Sequence, residues 1–514
     1  MGIKNVFRTG AMAVLAMVVI GATAQELQAY PFFTTPETYG AVGDGIHDDT
    51  QAVNAALASL APGGRVLLTG KYLIESANLL IPSNVTLEGT YEAVGTSWNN
   101  TTAPYAQLNS AIILNSNYTI GLGGGSTIKG VLIRRQGQIF PAADSTGFAG
   151  IAITAVGDDH SIIGCMILGF NKAIYSSGYA RQYYNHILGD NLNFIEVTNS
   201  TDIGRIIDCH AWPFIAIAYP GVRPSVWADR GVGYYIHDGA DWIKLTNCFA
   251  YGYTTGISLL NVNSVTLLGC GVDGTQENTS SIGISIIGQC LDTRLEACQV
   301  AAQAEAIYIN TGFTPAYRIV TQIVDCNLWG NTANGMNSQN IFIADGDADI
   351  LGCHIRNGST GVYVNSAESR VLIDGNGFDD MDTYPIYNNA GSPYVLIGLN
   401  DYGIFPTGSG VVYNMALQTA TVGSGSLANA LLLPSSGDVF SIPSGTGNFS
   451  FINGSFDGRV KTLLFNGVLT ITSSTSPGGI RLSSGSNFVT AAGTSLSVLQ
   501  GPGGYWVETG RSNP

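Results

Sequence analysis

Acidic, imidazole and aromatic side chains crowd into the segment from Asp208 to Glu305. Asp208 and His210 open it, His237, Asp238 and Asp241 follow, and Asp273, Glu277 and Glu305 close it. Within it lies AWPFIAIAYPGVRPSVWADRGVG, Ala211 to Gly233, which carries Trp212, Arg223, Trp227 and Arg230. Hydrolysis of a glycosidic bond needs two carboxyl groups flanking it, one to protonate the leaving oxygen and one as base or nucleophile. Trp faces stack on apolar ring faces, and Arg offers forked donors to hydroxyls or carboxylates. The expected acid and its partner are therefore among Asp208, Asp238, Asp241, Asp273, Glu277 and Glu305. The expected sugar contacts are His210, Trp212, Arg223, Trp227, Arg230 and Tyr253. The competing use is bland: outward carboxylates as solvated surface, and the two Trp as packing for their loop.

A second chemistry suits some of the same residues. β-Elimination on a uronate needs a base such as Arg, Lys, His or Tyr, and a cation to neutralise the sugar carboxylate. His210, His237, Arg223 and Arg230 would supply the base, with Asp208 or Asp238 as calcium ligands. Hydrolysis needs no cofactor, so calcium enters only with the lyase. A protein that holds a glycan without cutting it is the third class.

The cysteines show what positions these side chains. IIGCMI at Cys165, IIDCHA at Cys209, LTNCFA at Cys248 and LLGCGV at Cys270 share one mould, as do the contexts of Cys298, Cys326 and Cys353. From Cys248 the spacings are 22, 28, 28 and 27 residues; the two earlier steps, 44 and 39, call for inserted loops or an extra coil. Only Cys290 falls outside the pattern. A repeat of this length with alternating apolar residues is a solenoid of strands, one Cys per coil at the same inward position. Gly and Asn after each Cys suit tight turns, and the LxxLxL signature of a leucine-rich solenoid is missing. The expected state is a ladder of reduced, buried thiols, with disulfides or a metal as competitors; no CxxC pair exists. Coils about 4.8 Å apart place carboxylates on neighbouring coils near the retaining separation, and those two coils apart near the inverting one. Counted from the ladder Cys, Glu277 and Glu305 share position +7, with Tyr253 at +5 and Trp212 at +3 on the same expected edge.

Composition agrees with an extracellular all-β chain: charged residues are only 11% and Gly numbers 66 of 514. The net charge of −15 leaves no basic face for nucleic acid. Lys4 and Arg8 followed by the apolar run Ala11–Ala22 and Ala22-Thr23-Ala24 read as a cleaved signal peptide, residues 1–24. Secretion to the periplasm or medium is expected, and no membrane span. The β-helix should occupy 25–415 and a small β-rich domain 416–514, divided in the low-complexity stretch around Ala416 to Ala428.

YGAVGDGIHDDTQAVNAAL, Tyr39 to Leu57, resembles the N-terminal signature of the pectate-lyase-like right-handed parallel β-helix superfamily, which holds polygalacturonase-related hydrolases, lyases and phage tailspike depolymerases. The resemblance implies a polysaccharide substrate. Asp48, Asp49 and Thr50 should cap a helix from Gln51 to Leu60 that covers the open end of the β-helix. A calcium site on Asp44, Asp48 and Asp49 is the rival use. The hydrolase triplets NTD, GHG and RIK are missing, and GDD occurs only at Gly157–Asp159, before His160. Asp159 aligns with Asp241 and Asp349, which marks it as a recurrent turn residue. From Asp438 the chain is similar to C-terminal segments of phage tail fibres and tailspikes, which implies a homotrimer. Arg459, Phe465 and Trp506 should stabilise that module.

Overall fold

The sequence before each ladder Cys reads G, D, N, G, A, D and G. All seven residues adopt the left-handed backbone: Gly164, Asp208, Asn247, Gly269, Ala297, Asp325 and Gly352 have φ between 51° and 64°. That conformation suits Gly, Asn and Asp, and here it turns the chain sharply from one sheet to the next. Ser161–Ile163, Met166–Leu168 and Lys172–Ser177 make one coil, and their successors pair with them in parallel.

The computed structural model describes residues 32–90, 110–137, 147–214, 230–274, 279–312, 319–330, 338–389, 394–402, 418–419, 421–422, 430–432, 439–453, 460–476, 478–501 and 505–512. Among them the coils stack into a right-handed all-β parallel solenoid with three sheets. Sheets I and II each hold 14 strands and sheet III holds 12. A single apolar core runs down the axis, closed by Ile, Val and Leu from all three sheets. No described helix is long and apolar enough to cross a membrane. The signal-peptide segment and most of the expected boundary around Ala416 to Ala428 lie outside the described residues.

All eight cysteines are free and buried. Each ladder thiol faces the carbonyl two residues before it, as Cys209 Sγ faces Ile207 O at 3.3 Å. Burial pushes the Cys165 thiol up to about 12. Donation of a hydrogen bond to the sulfur of the preceding coil, with burial, does the same for Cys298 and Cys326. The 44-residue step holds an extra coil in which His186, at φ 54°, makes the corner and buried Ile187 takes the Cys position. The 39-residue step holds an insertion between sheet II strand His210–Ala211 and sheet III strand Arg230–His237. Past Cys353 the ladder continues as Asn376, whose Oδ1 accepts from Cys353 N at 2.8 Å and whose Nδ2 donates to Ile350 O at 3.0 Å.

Helix α1 spans Thr50–Ser59 and buries Val53, Ala56 and Leu57 in the main core. It takes the place of a sheet III strand in the first coil. Asn54 donates to Asn78 O at 2.9 Å and accepts from Leu80 N at 3.3 Å, which occupies polar groups beside and on the edge strand Leu79–Ile81. The capping differs from expectation in one detail. Asp48 accepts from Thr50 N at 3.0 Å, whereas Asp49 turns back to Val42 N and Gly43 N at 2.7 and 3.1 Å. Asp44 accepts from Ile46 N and His47 N at 2.8 and 3.0 Å. Each carboxylate thus serves its own backbone amides.

The C-terminal strands form a six-stranded sheet with its own core, in which Phe440, Phe465 and Trp506 are buried. Trp506 Nε1 donates to Ile452 O at 3.2 Å. Phe465 and Trp506 therefore stabilise this unit, and Arg459 lies outside the described residues.

Candidate functional site

Sheet II strands are mostly three residues long, so the middle residue points inward and the outer two line the surface. Ala250, Val272, Val300 and Leu328 are the inward residues of four successive coils. The first outward row, one residue after each Cys, reads His210, Phe249, Gly271, Gln299 and Asn327 in paired register. The second, three residues after each Cys, reads Trp212, Tyr251, Asp273, Ala301 and Trp329.

The sizes of these residues carve a groove. Trp212 stacks on Tyr251 with ring centroids 4.5 Å apart and planes 27° from parallel, and Tyr251 is paired in register with Asp273. His210 packs edge-on against Phe249 at 4.9 Å. Gly271 and Ala301 then remove bulk from the next two coils, and Trp329 rises beyond them with the Arg356 guanidinium 4.5 Å over its ring. A Cβ on Gly271 would meet the Phe249 ring at 2.5 Å, so glycine is what lets that ring lie into the groove. The resulting open volume is ≈ 520 Å³, lined by Asn247, Phe249, Gly271, Asp273, Gln299 and Trp329 among others.

Two titratable groups here are displaced from their ordinary ranges. Partial desolvation beside its neighbours raises the Asp273 carboxyl pKa, while the side chain stays exposed at the mouth of the groove. Burial among aromatic rings lowers His210 to about 4, so its imidazole is neutral near pH 7. A carboxyl that holds its proton longer than usual, between two aromatic platforms, is suited to act as a general acid toward a glycosidic oxygen.

The other expected carboxylates do not gather around it. Asp208 is the left-handed corner residue between sheets I and II. Asp238 and Asp241 lie at the corner between sheets III and I, at the opposite end of sheet I's strands from Asp208. Glu305 begins Glu305–Asn310 on the outer face of sheet III, where burial raises its pKa. Tyr253 is 3% exposed, points into the core and donates to Asn191 O at 3.1 Å; it is no sugar contact. Trp212, Tyr253 and Glu305 therefore share no edge, because Trp212 faces out beside sheet II, Tyr253 faces in, and Glu305 lies on sheet III. Arg223, Trp227, Glu277 and the Arg230 side chain lie outside the described residues. Phe249, Tyr251, Gln299 and Trp329 went unnoticed in the sequence. Counting +1 and +3 from every ladder Cys would have found them.

Asp238 joins a separate cluster on sheet III. His237 Nδ1 lies 2.9 Å from Asp238 Oδ2 and its Nε2 lies 3.4 Å from Glu196 Oε1, with Lys172 Nζ 2.8 Å from the same Glu196 oxygen. The His237 hydrogen bond, then that from Asn261, lowers the Asp238 pKa. The GDDH turn is structural. Asp159 takes a fork from Arg181 at 2.6 and 2.9 Å, Asp158 accepts from Ala180 N at 2.8 Å, and buried His160 bridges Gly157 O and the Tyr184 hydroxyl.

No family model matches the chain. It is 26% identical over 248 residues to a K30/K69 capsule-specific depolymerase of Klebsiella phage K64-1, a match covering 48% of this chain and 27% of that protein. It is 26% identical over 341 residues to depolymerase 1, K30/K69 capsule-specific, of Klebsiella phage K5-2, covering 64% and 37%. The chain thus spans between a quarter and two-fifths of the length of these curated relatives. Among solved structures, the pneumococcal surface adhesin PfbA of Streptococcus pneumoniae aligns with TM-score 0.48 and 14% identity, over 68% of this chain and 92% of that one. The architecture itself, three parallel sheets wound into a right-handed β-helix, is the fold expected from the sequence.

Proposed function

We propose that this protein cleaves an extracellular polysaccharide bound along the sheet II groove. The observation that carries the reading is Asp273, with its raised pKa, set between the Trp212–Tyr251 stack and Trp329. The similarity to two capsule depolymerases supports it. Sugar rings lie against the aromatic faces, Gln299 and Asn247 meet their hydroxyls, and Asp273 donates the proton to the departing oxygen in a glycoside hydrolysis. Glu277, four residues further in sequence, is the proposed partner carboxylate. Secretion and assembly as a homotrimer, implied by the sequence, belong to the same proposal.

Elimination is the second reading. It would use His210, neutral at physiological pH and packed against Phe249 of the groove, as the base. In that case calcium would be the cofactor needed, with its ligands still to be assigned. One experiment separates the readings: incubation with a panel of capsular and other bacterial polysaccharides. New reducing ends without absorbing unsaturated ends establish the hydrolase, and unsaturated ends establish the lyase. Retention without cleavage makes the chain a glycan-binding spike and overturns both.

A further inference from the structure

We propose that the outer face of sheet III from Tyr308 to Tyr387 is a second, non-catalytic track that holds the polysaccharide chain cut in the groove. The proposal rests on that reading of the groove. Tyr308, Phe342, Tyr363 and Tyr387 occupy one outward register row on four successive coils. Their ring centroids follow one another at 5.7, 5.2 and 5.1 Å. Tyr384 lies flat against Tyr387, 4.7 Å away with planes 10° apart. All five rings are half-buried, so each keeps a face or edge toward solvent.

The borders of this stripe decide what covers it. On one side stand Glu305 and Gln339, paired in register, and on the other Asn310, Asp345, Asn365 and Asn389. Asn310 Nδ2 donates to the Tyr308 hydroxyl at 3.4 Å, and Asn389 Nδ2 to Asn365 Oδ1 at 3.0 Å. A line of rings flanked on both sides by amides, hydroxyls and carboxylates matches a sugar chain, whose apolar ring faces stack while its rim of hydroxyls hydrogen-bonds. A permanent subunit interface would instead surround the rings with aliphatic side chains and deplete charge. The rings advance with the coil spacing of about 4.8 Å, comparable to the advance per sugar in an extended glycan. The track therefore runs parallel to the helix axis, as the groove does, on a different face of the same coils.

The test compares the parent protein, Tyr363→Ala/Tyr387→Ala, the single variant Tyr387→Ala in the last strand of sheet III, and Tyr363→Phe/Tyr387→Phe. Retention in gels containing the cleaved polysaccharide is measured beside KM and kcat on polymer and on its short oligosaccharide products. The double alanine variant should lose retention and raise KM on polymer on the order of tenfold, with kcat and short-substrate kinetics unchanged. The phenylalanine pair should behave nearly as the parent, and Tyr387→Ala should fall between. Unchanged retention and KM in the alanine variants overturn the track alone, provided Trp329→Ala in the groove still impairs cleavage. A shift in oligomeric state on sedimentation overturns it in favour of a second copy on this face. A parent neither retained by nor active on any polysaccharide overturns the groove reading and the track together.

Discussion

Asp273 has an environment that costs stability and serves chemistry. Its raised pKa means the folded chain keeps this proton at a pH where the unfolded chain has lost it. The stabilisation is full below the ordinary Asp value of about 4 and is lost as pH rises through the folded value. At pH 7 the charged carboxylate is a liability that an amide removes. Asp273→Asn should therefore melt slightly higher than the parent at pH 7 and no higher at pH 3, while cleavage falls by about 10²- to 10⁴-fold. An unchanged cleavage rate would place the acid elsewhere. His210 runs the opposite way. Its pKa is depressed to about 4 by burial, so the stability it contributes is present above its ordinary value and drains away as pH falls toward 4. The full effect is on the order of 3 kcal/mol. Denaturant melts of His210→Phe, which keeps an aromatic ring against Phe249, should show a flatter pH dependence between 6.5 and 4.

Corners and strands explain what the sequence revealed. The period, the coil and the thiol ladder were legible because a buried Cys after a left-handed corner residue must recur wherever the chain turns identically. The extra coil showed only as a long step between cysteines, because Ile187 fills the Cys position with a different apolar side chain of equal use. The groove was hidden because it depends on small residues: Gly271 and Ala301 matter for the space they leave, and nothing in a search for acids and aromatics selects them. Glu305 looked like a neighbour of Trp212 because linear offset ignores that +3 and +7 straddle a corner. The same corners make a measurable prediction. Ala297 holds φ 54° without the freedom of glycine, a strain of about 1 kcal/mol. Ala297→Gly should raise the unfolding midpoint, whereas Gly269→Ala, whose Cβ would meet Asn247 Oδ1 at 2.8 Å, should lower it. Equal and opposite shifts are not required, but a fall in stability for Ala297→Gly would contradict the corner argument.

At the scale of the molecule, two cores stand apart in composition and in task. The solenoid core is a continuous column of Ile, Val, Leu and Cys, and it presents both the groove and the aromatic stripe. The C-terminal core gathers Phe440, Phe449, Phe465, Phe488 and Trp506 in a separate cluster. The ion pair of Glu508 with Arg511 holds the Glu508 carboxyl down at about 2, and Arg511 in turn lies 4.2 Å over the Phe488 ring. Residues 416–514 contain no His, and their only acidic residues are Asp438, Asp457 and Glu508. Residues 416–514 should therefore serve assembly and leave cleavage to the solenoid. Light scattering of the full chain should report three copies, and removal of residues 416–514 should shift the population toward monomer. The truncated protein should keep its kcat on oligosaccharides, because Trp212, Asp273 and Trp329 come from the first, third and fifth of five consecutive coils of one chain. A full-length protein that stays monomeric at high concentration would take away the assembly role. A truncated trimer that loses all activity would instead move part of the active site into the C-terminal unit.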